Sequence, residues 1–120
     1  MSKTGFRELL VWQKSKILAV EMYRITETGA ISRDYGLRDQ MRRSAVSICS
    51  NIAEGDERNT DKDSIRFLYI AKGSLAELAT QVEIATEVGY LGADDAERLE
   101  ESLTEIGRML GGLIKARSAS

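Results

Sequence analysis

Histidine and proline are absent from the 120-residue sequence, and cysteine occurs once, as Cys49. Without histidine, one chain cannot build a Ser-His-Asp or Cys-His catalytic unit or a histidine-containing zinc site. A single cysteine allows neither an intrachain disulfide nor a Cys₄ zinc site, which fits a reducing compartment. The sequence therefore predicts a cytoplasmic protein with no catalytic residues, no metal site and no cofactor.

Aromatic residues are also scarce, at 6% of the chain. Average proline usage is roughly 5%, so the lack of proline together with few aromatics favours helices over strands. No apolar run reaches the roughly 18 residues that a membrane-spanning helix needs, so no membrane partner is predicted. The length fits one domain, covering residues 1–120, with a single hydrophobic core.

The net charge of −2 is unevenly distributed along the chain. Ten basic and eight acidic residues lie in the first half, against seven and eleven in the second. An acidic total is not typical of a nucleic-acid-binding protein. The local basic concentration is formed by Arg33, Arg38, Arg42 and Arg43, interrupted by Asp34. These four arginines are the candidate nucleic-acid-binding residues, and a ring-shaped oligomer would repeat them around its axis.

Apolar spacing predicts four amphipathic helices, over residues 9–27, 36–58, 60–88 and 94–117. Gly29 and Gly89 are expected to end the first and third helices, Asn59 or Thr60 to cap the third, and Asp94 to cap the fourth. Short connections between four helices predict an all-α fold, an antiparallel up-down-up-down four-helix bundle.

The second helix has an apolar arc of about half its circumference, wider than a single core stripe requires. Its opposite face is rich in small polar side chains, among them Ser44, Ser47 and Asn51. On the third helix, Ser74, Glu77 and Gln81 form a polar stripe between apolar residues, and such groups need partners when they are buried. The wide arc indicates contact with further partners, such as other copies of the chain.

The segment YGLRDQMRRSAVSICSNIAEG over residues 35–55 resembles the signature of a known bacterial family. The family consists of four-helix-bundle proteins first noticed in intervening sequences of large-subunit ribosomal RNA genes. The accessory variability determinant of diversity-generating retroelements is a relative. Residues 6–23, 66–82 and 89–91 also resemble the family pattern, so the resemblance extends over about residues 6–114.

The resemblance implies an antiparallel four-helix bundle that assembles as a ring-like homopentamer without enzymatic activity. It also implies, through the retroelement relatives, RNA or DNA and a reverse transcriptase as partners. The family usually has proline at the position of Cys49 and near Ala30. Because a proline would remove a helical hydrogen bond, its absence predicts a straighter second helix.

A structural polar motif is predicted from Arg43, Asn51, Glu54, Gly55, Gly73, Ser74 and Glu77. Positions equidistant from a turn near Asn59 should face each other, which places Arg43 or Arg42 opposite Glu77 and Ser44 opposite Ser74. A partly buried Arg43–Glu77 ion pair would fix the register of the two helices. A recognition site is the alternative interpretation of the same residues.

Several single residues have a structural and a functional interpretation. Glu54 and Glu77 would lie at different heights along the bundle, which disfavours a paired-carboxylate catalytic or metal site. Gly73 predicts a tight helix crossing, whose packing a leucine would break.

The Cys49 side chain is expected to be packed in the core rather than to act as a reactive thiol. Trp12 and Tyr23 are expected in the core rather than as base-stacking platforms, and Gly107 and Gly111 as points of close packing.

Two hypotheses follow from the sequence. The first is a non-catalytic, homo-oligomeric helical bundle, most simply a pentamer, that acts as an assembly or interaction module. The second is an accessory nucleic-acid-binding protein that partners a reverse transcriptase in a diversity-generating retroelement. An enzyme would require a cofactor or metal that the residue types do not suggest.

Overall fold

The computed structural model describes residues 5–119, which form four α-helices and two short 3-10 helices, with no strand in that range. The α-helices are α1 (Leu10–Ile25), α2 (Tyr35–Asp56), α3 (Asp61–Glu87) and α4 (Ala93–Ser118), while 3-10 turns occupy Gly5–Glu8 and Ala30–Arg33. Each helix begins and ends within two residues of its predicted bounds. The all-helical prediction is confirmed, and α2 passes through Cys49 without interruption.

Local chemistry at the helix ends explains both boundaries of α3. Gly89 adopts φ +90° just past α3, while the amides of Gly89 and Tyr90 donate to the carbonyls of Thr86 and Ala85. This is the Schellman arrangement, in which glycine avoids the steric cost of positive φ. At the start of α3, the Thr60 hydroxyl accepts a hydrogen bond from the Asp63 amide at 3.1 Å. Gly29 also has positive φ, at +77°, but it lies beyond the α1 C-cap residue Thr26 and begins the second 3-10 turn.

The start of α4 differs from the prediction. Gly92 is its N-cap residue and provides no side-chain hydrogen bond, so the expected Asp94 cap is wrong. Asp94 and Asp95 instead lie in the first helical turn. Carboxylates are favourable there because the N-terminal end of a helix carries partial positive charge.

The core is an apolar cluster that runs through all four helices. Its fully buried large side chains are Leu18, Met22, Met41, Ile48, Ile52, Leu68, Leu78, Val82, Leu99, Ile106 and Leu110. Trp12 is half-buried against this cluster, with its ring centroid 5.1 Å from that of Phe6. Tyr23 is exposed, so its expected place in the core is wrong. It lies on the flank of α1 that turns toward α2 rather than inward.

Polar contacts between the helices show which segments lie side by side. The Ser47 and Ser74 hydroxyls join the middle of α2 to the middle of α3 at 2.8 Å. Lys14 and Glu105 form an ion pair of 3.0 Å between α1 and α4, and Arg98 at the start of α4 reaches Glu21 near the end of α1 at 2.8 Å. α1 packs against α2 and α4, and α3 packs against the same two helices.

The glycines divide into those at close contacts and those facing open space. A Cβ built on Gly55 would lie 3.0 Å from the Ser64 carbonyl oxygen, and one on Gly107 would lie 3.2 Å from a Leu75 methyl. No atom lies within 4 Å of the Cβ position at Gly73 or Gly111. The predicted tight crossings at Gly73 and Gly111 are therefore wrong within the chain, and Gly55 and Gly107 are the close contacts.

Asp34 joins the start of α2 to the connection between α3 and α4. One carboxylate oxygen accepts from the Leu37 amide at 3.1 Å as an N-cap, and the other accepts from the Tyr90 hydroxyl at 3.0 Å. This hydrogen bond to Asp34 raises the pKa of Tyr90 above its ordinary value. The stabilised form is therefore the neutral hydroxyl, which donates to the carboxylate.

Replacement of Asp34 by alanine is expected to lower the free energy of unfolding by about 1 kcal/mol, the usual cost of removing an N-cap side chain. Urea unfolding followed by circular dichroism measures the change. The control is Asp34→Asn, which keeps a side-chain oxygen for the cap and should lose clearly less. Equal losses for both variants would contradict the capping role.

Candidate functional site

The predicted ion pair between Arg43 and Glu77 does not form. Both side chains are exposed on the outer surface of α2 and α3, and neither has an ion pair or hydrogen bond within residues 5–119. Their positions on the two helices point away from the core. An exposed ion pair gains little electrostatic free energy in water, and its two side chains lose conformational freedom when the pair forms. The exposed positions of Arg43 and Glu77 therefore give little reason for the two side chains to pair.

A small polar cluster joins α2 to α3 instead. Besides the Ser47–Ser74 hydrogen bond, the Asn51 side-chain amide donates to the Ser47 carbonyl at 2.9 Å and to its hydroxyl at 3.0 Å. Ser74 is buried and Asn51 is half-buried. The predicted partner of Ser74 was Ser44, one turn away. Ser44 is buried on the same flank of α2.

Gln81 lies two turns along α3 from Ser74 and is only 8% exposed. Its Oε1 is the buried side-chain oxygen or nitrogen that lacks a hydrogen-bond partner among the described residues. The polar stripe of α3 is therefore uneven, with a satisfied hydroxyl at Ser74 and an unsatisfied amide oxygen at Gln81.

The remaining motif residues lie near the end of α2 and have separate roles. Glu54 is exposed and pairs with Arg58 one turn later on the same helix. Gly55 is buried where α2 and α3 approach most closely. Glu54 and Glu77 are not joined by any hydrogen bond or shared partner in the described structure. The seven residues thus do not converge on one site. Asn51, Gly55 and Ser74 are buried or half-buried, whereas the other four are exposed: Arg43, Glu54, Gly73 and Glu77.

A partly buried ion pair occurs at the end of the bundle, where sequence reasoning did not expect one. Arg117 on α4 donates to Asp56 on α2 at 2.9 Å and to the Ser64 hydroxyl on α3. A longer contact of 3.5 Å reaches the Gly55 carbonyl. The signal in the sequence is faint, since it consists of one acid at the end of a helix and one arginine sixty-one residues later.

The predicted basic group separates into two engaged and two free arginines. Arg42 donates to the Thr26 hydroxyl at 2.8 Å, and its guanidinium lies 4.6 Å from the centroid of the Tyr23 ring. Arg38 donates to Asp39 at 2.9 Å and to the Ser32 carbonyl at 3.1 Å. These contacts hold α2 against the end of α1 and the turn that follows it.

Arg33 and Arg43 are exposed and form no ion pair or hydrogen bond in the described part of the chain. Arg42 contacts the end of α1 and Arg38 contacts the turn that follows it, whereas Arg43 is exposed on the outer surface of α2. The four arginines therefore share one end of the molecule but do not form a continuous basic patch.

The sequence matches the family described as 23S rRNA-intervening sequence protein over residues 7–112. The chain belongs to this family. A solved structure from Bacteroides thetaiotaomicron, described as a protein of unknown function from the S23 ribosomal protein family, is similar in fold with a TM-score of 0.81. The two are 27% identical, and the similarity covers 88% of this chain and 99% of the other. No curated protein matches the sequence.

In this intervening-sequence family member, Cys49 is half-buried against the core. Burial raises the pKa of its thiol above the ordinary value, partly offset by hydrogen bonding of the backbone and by Lys16. A raised thiol pKa leaves less of the nucleophilic thiolate at neutral pH, in agreement with a packing role.

The helices and side-chain clusters of residues 5–119 also bear on two other classes of site. No helix there is long and apolar enough to cross a membrane. No group of three or more cysteine or acidic side chains within the same residues is arranged to hold a metal ion.

Proposed function

We propose that this intervening-sequence family member is a non-catalytic, cytoplasmic, self-associating helical bundle that acts as an assembly or interaction module. The observation that carries the proposal is an apolar outer surface on α3. Ile84 and Val88 there are 47% and 58% exposed, and Ile70 lies on the same side of the helix. Exposed apolar side chains grouped on one face are typical of protein–protein contact surfaces.

An antiparallel up-down-up-down arrangement is part of the proposal, and contacts between helix ends support it. The end of α2 meets the start of α3 at Gly55 and Ser64, and the start of α2 meets the end of α3 through Asp34 and Tyr90. Arg98, at the start of α4, pairs with Glu21, near the end of α1. Such a bundle presents one flank of each helix to solvent.

Native mass tests self-association directly. Light scattering of the purified protein at micromolar concentration is expected to give a multiple of the 13.3 kDa chain mass, with five copies favoured by the family resemblance. The apolar surface of α3 would then be covered in the assembly. A mass of one chain under these conditions would contradict the proposal.

A second candidate function is binding of nucleic acid. The free arginines Arg33 and Arg43 support it, because guanidinium groups without internal partners are available to phosphates. The family description refers to 23S rRNA, and the name of the similar solved structure places that protein in a ribosomal protein family. Repetition of two arginines in every copy of an assembly would multiply the positive charge along one rim.

Fluorescence anisotropy with a labelled duplex tests nucleic-acid binding. Two phosphate contacts per copy predict that affinity falls about tenfold between about 50 and 200 mM salt. The double variant Arg33→Ala/Arg43→Ala should abolish most of the binding, whereas Arg108→Ala/Lys115→Ala, a matched loss of two exposed charges on α4, should retain it. Binding that is undetectable at low salt, or insensitive to salt, would contradict this function.

A further inference from the structure

A second exposed apolar surface lies on α1, and we call it the α1 face. It consists of Ile17, Val20, Lys16 and Arg24. Ile17 is 65% exposed and Val20 is 43% exposed. Together with Ile25, Glu21 and Arg98, these residues line a surface depression of about 490 Å³. The α1 face is therefore both apolar and concave.

The charge of the α1 face is positive. Among the charged residues of α1, Lys14 pairs with Glu105 and Glu21 pairs with Arg98. Lys16 and Arg24 have no ion pair among residues 5–119, and both are exposed cations beside Ile17 and Val20. Lys16 also lies 5.2 Å from the Trp12 ring.

The apolar surface of α3 has the opposite charge. We use the name α3 face for a set of four exposed residues, Ile84, Val88, Glu77 and Glu87. From Gly73 to the end of α3 the charged residues are acidic, and Glu77 and Glu87 form no ion pair with any other residue of the described range 5–119. The α3 face thus combines exposed apolar side chains with carboxylates that have no ion pair among residues 5–119.

The two faces lie on opposite sides of the molecule. Because α1 and α3 each pack against α2 and α4, they occupy diagonal corners of the four-helix arrangement. Each face turns away from the core, since the buried residues Leu18 and Met22 occupy the other side of α1, and Leu75 and Leu78 the other side of α3. One chain therefore cannot bring its own two faces together.

We infer that the α1 face of one copy of this chain binds the α3 face of the next copy. The inference rests on the proposed self-association and names its surface. The apolar side chains of both faces would be buried in the contact, and the cations of one face would meet the carboxylates of the other. Because two different faces meet, the contact is head-to-tail. Such a contact forms a ring when the rotation between copies closes.

Charge reversal on each face tests the contact. One variant carries Lys16→Glu/Arg24→Glu on the α1 face, and the other carries Glu77→Lys/Glu87→Lys on the α3 face. Each is expected to reduce the native mass to the 13.3 kDa of one chain, because each contact would place like charges together. Circular dichroism checks that both variants remain helical.

The variant with all four substitutions should assemble again, because its faces have exchanged signs and are complementary. An equimolar mixture of the two reversed variants should also assemble, but only with the two alternating, so that a closed ring must contain an even number of chains. The control variant is Glu97→Lys/Glu101→Lys, on the outer side of α4. It changes the net charge of the chain by the same amount as the variant of the α3 face. It should keep the wild-type mass.

The outcomes separate this inference from the proposed function. A wild-type protein that is itself a monomer would overturn both. A wild-type oligomer whose mass is unchanged by both reversals would overturn the head-to-tail contact and leave self-association standing. Loss of assembly on reversal of one face only, without recovery in the fourfold variant, would show that the two faces do not meet each other and would also overturn the inference.

Discussion

Replacement of Arg117 by methionine is expected to lower the free energy of unfolding by up to about 3 kcal/mol, because the ion pair is partly buried and that value is the low end of the range for breaking a fully buried pair from one side. The side chains of Arg117 and Asp56 are only 20% and 11% exposed, so water cannot fully replace the lost cation. Asp56 is also the last residue of α2, where the partial negative charge of the helix end disfavours a carboxylate. Urea unfolding followed by circular dichroism measures the change.

Two control variants distinguish the effect of breaking the Arg117–Asp56 ion pair from the effect of removing a charge. Arg66→Met removes an exposed ion pair with Asp63 and should cost less than about 1 kcal/mol. The double variant Asp56→Leu/Arg117→Met removes both charges and should recover most of the stability, because replacement of a buried pair by apolar residues is often nearly neutral. A double variant that is as unstable as the sum of the single variants would exclude coupling between the two residues.

A leucine at Gly55 is expected to destabilise the fold by about 3 kcal/mol, the upper end of the usual cost of overpacking. The added Cβ alone would lie 3.0 Å from the Ser64 carbonyl oxygen and 3.4 Å from the Phe67 Cβ. The first of these atoms belongs to the backbone of α3, so it cannot rotate away as the end of a flexible side chain would. The two helices would have to separate where they are closest.

Gly111→Leu is the matched control for this substitution. Gly111 also lies within a helix, but no atom is found within 4 Å of its Cβ position. Leucine should therefore stabilise the protein by up to about 1 kcal/mol through its higher helix propensity. Thermal melts of the two variants should move in opposite directions. A Gly55→Leu melt at or above that of the wild type would contradict close packing of α2 and α3.

The pairing of α2 with α3 shows how far sequence reasoning extends toward the candidate site. Helical periodicity placed Ser74 and the serines of α2 on facing flanks, which the Ser47–Ser74 hydrogen bond confirms. The exact partner was wrong by one turn. The shape of the connection after α2 sets the offset between two helices, and a shift of one turn leaves the apolar pattern nearly unchanged.

The four arginines of the predicted basic group show a second limit of prediction from the sequence. Their sequence proximity suggested one basic group, but successive helical residues are 100° apart, so Arg42 and Arg43 point to different flanks. Arg42 contacts Thr26 and Tyr23, whereas Arg43 has no ion pair or hydrogen bond in the described structure. The sequence was enough to assign the residues of the candidate site to helices. Which of these residues form hydrogen bonds or ring contacts depends on the side chains that the neighbouring helices place beside them.

The sequence by itself determined the helices, the stop signal at Gly89 and the apolar stripes of the core, because these depend on residues within a few turns of one another. It also determined the exclusion of histidine chemistry. Only the tertiary structure decided that Gly55 rather than Gly73 is the close contact, and that Asp56 meets Arg117 rather than Arg43 meeting Glu77. Those outcomes depend on distances between helices, and periodicity along one helix does not specify the position of another.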